Sequence, residues 1–100
     1  MNSSTCKLLT IITESALEKT LVEEIERLGA HGFTITDARG KGSRGPRNAA
    51  WHESSNIRIE VVCDDTTAKA IADHLQAHYY QHYGMILFTS DVAVLRPEKF

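Results

Sequence analysis

At 100 residues, with 42% hydrophobic and 24% charged positions, the chain suits one globular domain with a modest core and is neither disordered nor fibrous. Its formal charge of −2 offers no molecule-wide basic field, which argues against a duplex nucleic acid as partner. The longest apolar runs, LLTII and MILF, are far too short to cross a bilayer, and no charged segment followed by an apolar stretch marks an export signal.

The elements follow in chain order. Cys6–Thr13 (CKLLTIIT) is a short apolar, β-branched run that reads as a buried strand. Ser15–Glu18 (SALE) fits a capping box, with Glu14 as a first-turn acid. Leu17, Leu21, Ile25 and Leu28 then fall on one helical face, and Gly29 stands where a C-cap would end the helix. Gly32–Asp37 alternates Phe33 and Ile35 with threonines as a half-buried strand does. Asn56–Cys63 (NIRIEVVC) puts Ile57, Ile59, Val61 and Cys63 on one face, and Asn56, Arg58 and Glu60 on the other. Asp64 and Asp65 open a second helix running to about Tyr83, with Gly84 as its stop. Met85–Leu95 supplies a last strand. Cys6 and Cys63, the only cysteines, lack C-x-x-C spacing and are expected to be buried thiols in a reducing compartment, a disulfide being the alternative. A cytoplasmic location is expected.

The order βαββαβ predicts an α+β, ferredoxin-like fold: a four-stranded antiparallel sheet with both helices on one face, as a single domain over residues 1–100. One length stands out. About 18 residues, Ala38–Ser55, separate two strands that should be hairpin partners, where compact domains use ~4–6. That connection contains RGKGSRGPR at 39–47, with four basic residues and three glycines in nine positions. Glycines let backbone amides approach a ligand closely, and arginine forks match phosphate or carboxylate oxygens. The alternative is a solvated basic loop with no ligand. The segment is not a Walker A motif, because the G-x-x-x-x-G-K-[ST] spacing is missing and a strand follows.

The strand end IITES, the GFTITD strand, the GKGSRGPR segment and SNIRIEV, in this order, resemble the PII-like signalling proteins from Leu8 to about Leu95. The resemblance is strongest to the carboxysome-associated members and to the cyanobacterial partners of bicarbonate transporters. It implies a homotrimer that binds adenine nucleotide in clefts between subunits. The T-loop, here about 38–55, would change shape with ligand and touch a protein partner such as a bicarbonate transporter. Carried over by position, Gly40, Lys41, Ser43, Arg44 and Arg47 would form the T-loop base beside the phosphates, and Asn56 and Arg58 would reach the same cleft. Gly84, Met85 and Ile86 match the B-loop, and Arg96 falls near the C-terminal loop lent by a neighbouring subunit, at the start of a short tail (96–100). Bicarbonate is the implied second ligand, with Arg47 and Ser43 its candidate partners. Association with a carboxysome or a membrane transporter is implied too.

The chain also departs from that pattern. In place of a glycine-rich B-loop ending in lysine it has YGMIL, which favours AMP or ADP over ATP, with cyclic AMP a further candidate. The T-loop has no tyrosine, so uridylylation of the familiar kind is not expected. The chain stops at RPEKF without a cysteine-bearing extension, and no redox switch is expected there. Asn48, Trp51 and His52 are the candidate partner contacts, with Trp51 either an anchor or packed on its own assembly.

Two other function classes have some support in the residues. His74, His78 and His82 recur every four residues, as metal-ligating histidines do, and the cation-tolerance proteins share this trimeric build. On a helical wheel, however, Leu75, Ala68, Ile71, Ala72 and Tyr79 define the core face, placing His82 near its middle, His78 at its border and His74 outside it. No cysteine or acidic cluster supplies a further ligand on that stripe, so no metal is expected. A small phosphohydrolase fits less well, because no residue set supplies a positioned nucleophile and base, and no catalytic residue is expected. RNA binding by this fold needs aromatics on the exposed sheet face, and strand three offers none. Arg47→Ala is expected to weaken nucleotide binding in calorimetric titration; an unchanged affinity would remove the phosphate role of Arg47.

Overall fold

The computed structural model describes residues 4–40 and 56–100. They form β1 (Ser4–Glu14), α1 (Glu18–Arg27), β2 (Thr34–Ala38), β3 (Asn56–Cys63), α2 (Asp65–Tyr79) and β4 (Ile86–Val94), with short 3-10 turns at Ser15–Leu17 and Pro97–Lys99. The strands lie in the order β2-β3-β1-β4 and every neighbouring pair is antiparallel. This is the α+β, ferredoxin-like arrangement expected from the sequence.

One parity of side chains builds the core. Leu9 and Ile11 of β1 stand opposite Val61 and Ile59 of β3, and Ile59 in turn stands opposite Ile35 of β2. This face meets Leu21 and Ile25 of α1 and Ala68, Ile71 and Leu75 of α2, all essentially without solvent exposure. Leu17, Leu28 and Phe33 pack at its rim. Each fully buried aliphatic side chain contributes about 1.5–3 kcal/mol of transfer free energy. The period-2 pattern of NIRIEVVC is reproduced residue by residue in β3, where alternate positions are buried.

The helix ends show which local signals act. Asp64 caps α2, its carboxylate accepting from the Thr67 amide at 2.7 Å. After α1, Ala30 N–H donates to Ile25 O at 3.0 Å and Gly29 N–H to Glu26 O at 3.1 Å, the two bonds of a Schellman stop, and Gly29 has φ +114°. The expected capping box does not form. Ser15 begins a 3-10 turn without a side-chain cap bond, the Glu18 amide donates to the Ser15 carbonyl, and α1 starts at Glu18. Glu14 belongs to the extended end of β1, where its carboxylate accepts from the Thr13 hydroxyl at 2.8 Å. The tighter turn takes the place of the cap because β1 runs on through Glu14 and must reverse at once.

Other boundaries differ modestly. β1 is longer at both ends than expected, and β2 begins at Thr34 rather than Gly32. The second helix ends at Tyr79, four residues short of the expected Tyr83. His82 and Tyr83 amides still donate to the Tyr79 carbonyl, so residues 80–83 form a turn that swings the chain toward β4. Cys63 is buried and Cys6 is half-buried, both free. Lys7 is the residue opposite Cys63, so Cys6 lies on the other face of the sheet and the pair does not form a disulfide. Among the described residues no helix is long and apolar enough to cross a membrane.

Gly29→Ala should lower stability by about 1–2 kcal/mol in thermal or urea unfolding, because a side chain is strained at that φ although its Cβ would meet Thr67 only at 3.5 Å. A neutral result would show that the stop after α1 tolerates a side chain.

Candidate functional site

The expected site residues divide between the two ends of the sheet. At one end β1 finishes beside the start of β3 (Glu14 opposite Asn56), and β2 finishes beside the same residue (Ala38 opposite Asn56). The connection over residues 39–55 therefore leaves and re-enters the sheet at paired positions. Gly40 lies exposed at its start, with no atom of the described residues within 4 Å of where a Cβ would stand. β4 starts at this end too, Ile86 opposite Ile12, which brings Gly84 and Met85 here. Met85 is buried in the core and Ile86 is 48% exposed. Lys41, Ser43, Arg44, Arg47, Asn48, Trp51 and His52 lie outside the described residues.

Asn56 and Arg58 stand half-buried on the sheet face away from the helices. The Arg58 guanidinium sits 6.0 Å from the centre of the Phe88 ring and 3.4 Å from Glu60 Oε2. It thus lies along the sheet, held by a ring and a carboxylate.

Arg96 is at the opposite end. Val94 stands opposite Ser4, eight residues up β4 from Ile86, or roughly 27 Å at a strand's rise per residue. Here the 3-10 turn Pro97–Lys99 lies over the open face of β2 and β3 and bounds a cleft of about 510 Å³. Its lining includes His31, Phe33, Glu60, Arg96, Lys99 and Phe100. Arg96, Lys99, Phe100 and Glu60 border it from the turn and from β3, and Phe33, which also packs against the core, borders it from the stretch before β2. Arg96 Nε lies 3.7 Å from Glu98, an exposed pair that solvent largely screens. Sequence reasoning found Arg96 alone of this group. The tail RPEKF carried the signal, with two cations and an aromatic in five residues, but only the fold brings it to Phe33 and Glu60.

The open face holds a second finding. Phe88, 45% exposed, and Ile86 stand there on β4, beside half-buried Leu8 and Ile12 of β1. The exposed sheet face therefore does carry an aromatic, contributed by β4, although β3 has none. Beneath this patch the Thr10 hydroxyl, opposite both Glu60 and Phe88, is buried with no hydrogen-bond partner among the described residues.

The histidine row runs opposite to its expected course. His74, expected outside the core face, is half-buried against α1, its Nε2 3.1 Å from Glu24 Oε1. His78 is exposed, its ring 4.3 Å from that of His74. His82 is exposed because α2 has ended at Tyr79 and the wheel no longer applies. No group of three or more His, Cys, Asp or Glu among the described residues is disposed to hold a metal ion. Glu24 also accepts from the Tyr79 hydroxyl at 2.7 Å, which ties α1 to α2. Burial pushes the Glu24 carboxyl up, but the Tyr79 and His74 hydrogen bonds, with Arg27 nearby, hold it below its ordinary value. Burial and the same carboxylate push Tyr79 up to about 12.

The fold and this residue pattern are those of a PII-type regulatory protein. Residues 6–99 match the family of the nitrogen regulatory protein P-II, and the chain belongs to it. It is 49% identical to a PII-like signaling protein from Thermus thermophilus, over 100% of this chain and 99% of that one, with a TM-score of 0.85. CPII from Thiomonas intermedia, a nitrogen regulatory PII-like protein solved bound to ADP, AMP and bicarbonate, is 25% identical over 99% of this chain and 96% of its own, at a TM-score of 0.86. GlnK of B. subtilis, solved with ATP, shares the fold at 15% identity and a TM-score of 0.67, covering 92% of this chain and 85% of its own.

Because the folded Glu24 lies below its unfolded value of 4.5, its stabilising contribution is present at neutral pH and lost as pH falls through the folded value. Glu24→Gln should therefore lower stability at pH 7 and flatten the acid limb of the stability–pH curve, measured by urea unfolding between pH 3 and pH 7. An unchanged acid limb would remove Glu24 from that linkage.

Proposed function

We propose that this chain is a non-catalytic regulator. It binds AMP or ADP in clefts between the subunits of a homotrimer, with bicarbonate as second ligand, and reports inorganic-carbon and energy state to a protein partner through the T-loop. The observation that carries this reading is the cleft beside Arg96. Its volume of about 510 Å³ and its lining of Phe33, Phe100, Arg96 and Lys99 suit a planar base joined to an anionic phosphate. Binding of ADP, AMP and bicarbonate by the Thiomonas protein supports the same ligands here.

The two-ended arrangement supports an inter-subunit site. Within one chain, Gly40 and Gly84–Ile86 stand at the far end of the sheet from Arg96, too distant for one mononucleotide to touch both. A second subunit presenting its opposite end would complete the site. The exposed Ile86 and Phe88, with Leu8 and Ile12 beside them, form an apolar open face of the kind that subunit contacts cover. In this reading Gly40, Lys41, Ser43, Arg44 and Arg47 approach the phosphates, Arg47 and Ser43 hold bicarbonate, and Asn48, Trp51 and His52 meet the partner. A bicarbonate transporter in the membrane, served from the cytoplasm, or a carboxysome component is the partner class this implies. Ligand occupancy would bias T-loop conformation, and with it partner engagement.

Calorimetric titration with AMP, ADP, ATP and cyclic AMP, each with and without bicarbonate, tests the ligand reading. Binding of AMP or ADP that bicarbonate tightens is the expected result, and Arg96→Ala should weaken it by roughly tenfold or more, as loss of a charge-assisted phosphate contact does. Absence of binding by every nucleotide would overturn the reading. Light scattering should give a trimer for the wild type and smaller species for Phe88→Glu; a monomeric wild type would remove the inter-subunit site.

A further inference from the structure

We infer that Tyr79 and Glu24 are positioning residues for the segment Gly84–Ile86, an inference that rests on the nucleotide reading above. Neither residue is among those expected to touch a ligand. Both act through the turn at residues 80–83, which leads from the end of α2 into that segment.

Tyr79 is the point on which that turn is built. Its backbone carbonyl accepts from the His82 amide at 3.1 Å and from the Tyr83 amide at 3.0 Å, so both amides share one acceptor. Its ring lies 5.7 Å from the Tyr83 ring, tilted by 45°. Its hydroxyl donates to Glu24 Oε2 at 2.7 Å, on the neighbouring helix. The carbonyl and the ring tie the turn to Tyr79, and the hydroxyl ties Tyr79 to α1.

A hydrogen bond from a hydroxyl to a carboxylate is among the stronger kinds, and it is directional. The hydroxyl is pushed up to about 12 by burial and by Glu24, so it stays a donor at neutral pH. Glu24 is held in turn by His74, whose Nε2 lies 3.1 Å from its other oxygen. On the far side of the turn Met85 is buried in the core, whereas Gly84 is half-buried. The Gly84 backbone therefore takes its place from two fixed points, Tyr79 before it and Met85 after it. The buried ring of Tyr79 fills the core with or without its hydroxyl; the bond to Glu24 sets the direction in which the chain leaves α2.

The test separates position from stability. Tyr79→Phe keeps the ring and removes only the bond to Glu24. In the unliganded chain, hydrogen exchange at the His82 and Tyr83 amides should then quicken more than at the amides of β1 and β3. Calorimetric titration with ADP should show affinity lower by roughly fivefold, as the loss of one hydrogen bond gives. Glu24→Ala should match that loss, and adding Tyr79→Phe to it should cost nothing further, because both remove the same bond. Glu24→Gln, whose amide oxygen can still accept from the hydroxyl, should retain more affinity than Glu24→Ala. An unchanged ADP affinity in Tyr79→Phe, or exchange that quickens evenly across the chain, would overturn the inference and leave the nucleotide site intact. A wild-type chain that binds neither ADP nor AMP would instead remove the nucleotide reading, and this inference with it.

Discussion

The pairing of β1 with β3 on one side and β4 on the other is the constraint on which the rest depends. β1 is an inner strand, so its backbone groups bond on both edges, and its helix-side residues Leu9 and Ile11 are fully buried. Leu9, Ile11 and Thr13 point into the helix side while Thr10 is buried on the other. A one-residue slip against β3 would carry Leu9 and Ile11 to the open face and strip the core of its centre. The alternation of β3, buried at every second residue, fixes that register from the facing strand. With it fixed, both helices cover the face that carries Leu9 and Ile11.

That surface solves half of the problem. The helices cover one face of the sheet and leave the other with two different fates. Over β2 and β3 the turn at residues 97–100 folds back and makes a cleft of mixed charge and aromatic character. Over β1 and β4 the face stays apolar and open around Phe88 and Ile86. Arg58 and Glu60 lie between the two regions, Arg58 over Phe88 and Glu60 at the cleft, joined by a 3.4 Å contact. That contact is partly exposed and contributes little stability by itself. Its position gives the cleft and the open face a shared pair of side chains.

The interhelical contact has a different character. Glu24 sits between His74 and Tyr79, accepting from the Tyr79 hydroxyl and within hydrogen-bond reach of the His74 ring. A half-buried carboxylate satisfied on both oxygens fixes the rotation of α1 against α2 more closely than aliphatic packing does, because hydrogen bonds are directional. The first histidine of the metal-like row is thus part of the packing between helices.

Much of this was legible in the residues. The alternation in NIRIEVVC, the apolar face at Leu21 and Ile25, the acidic helix start at Asp64–Asp65 and the glycine stop at Gly29 are local patterns, set chiefly by local sterics and hydrogen bonding. The order βαββαβ then pointed to one sheet topology, and the glycine-rich basic segment marked one end of the sheet as a candidate site. The capping box at Ser15 and the extension of α2 to Tyr83 failed because chain reversals imposed by the sheet outweighed the local preference. Three things required the tertiary structure: the meeting of Phe33 with Arg96, Lys99 and Phe100, the placement of Phe88 on the open face, and the engagement of His74 by Glu24. Each joins residues far apart in sequence, and such contacts are set by strand register and helix packing, which no local pattern encodes.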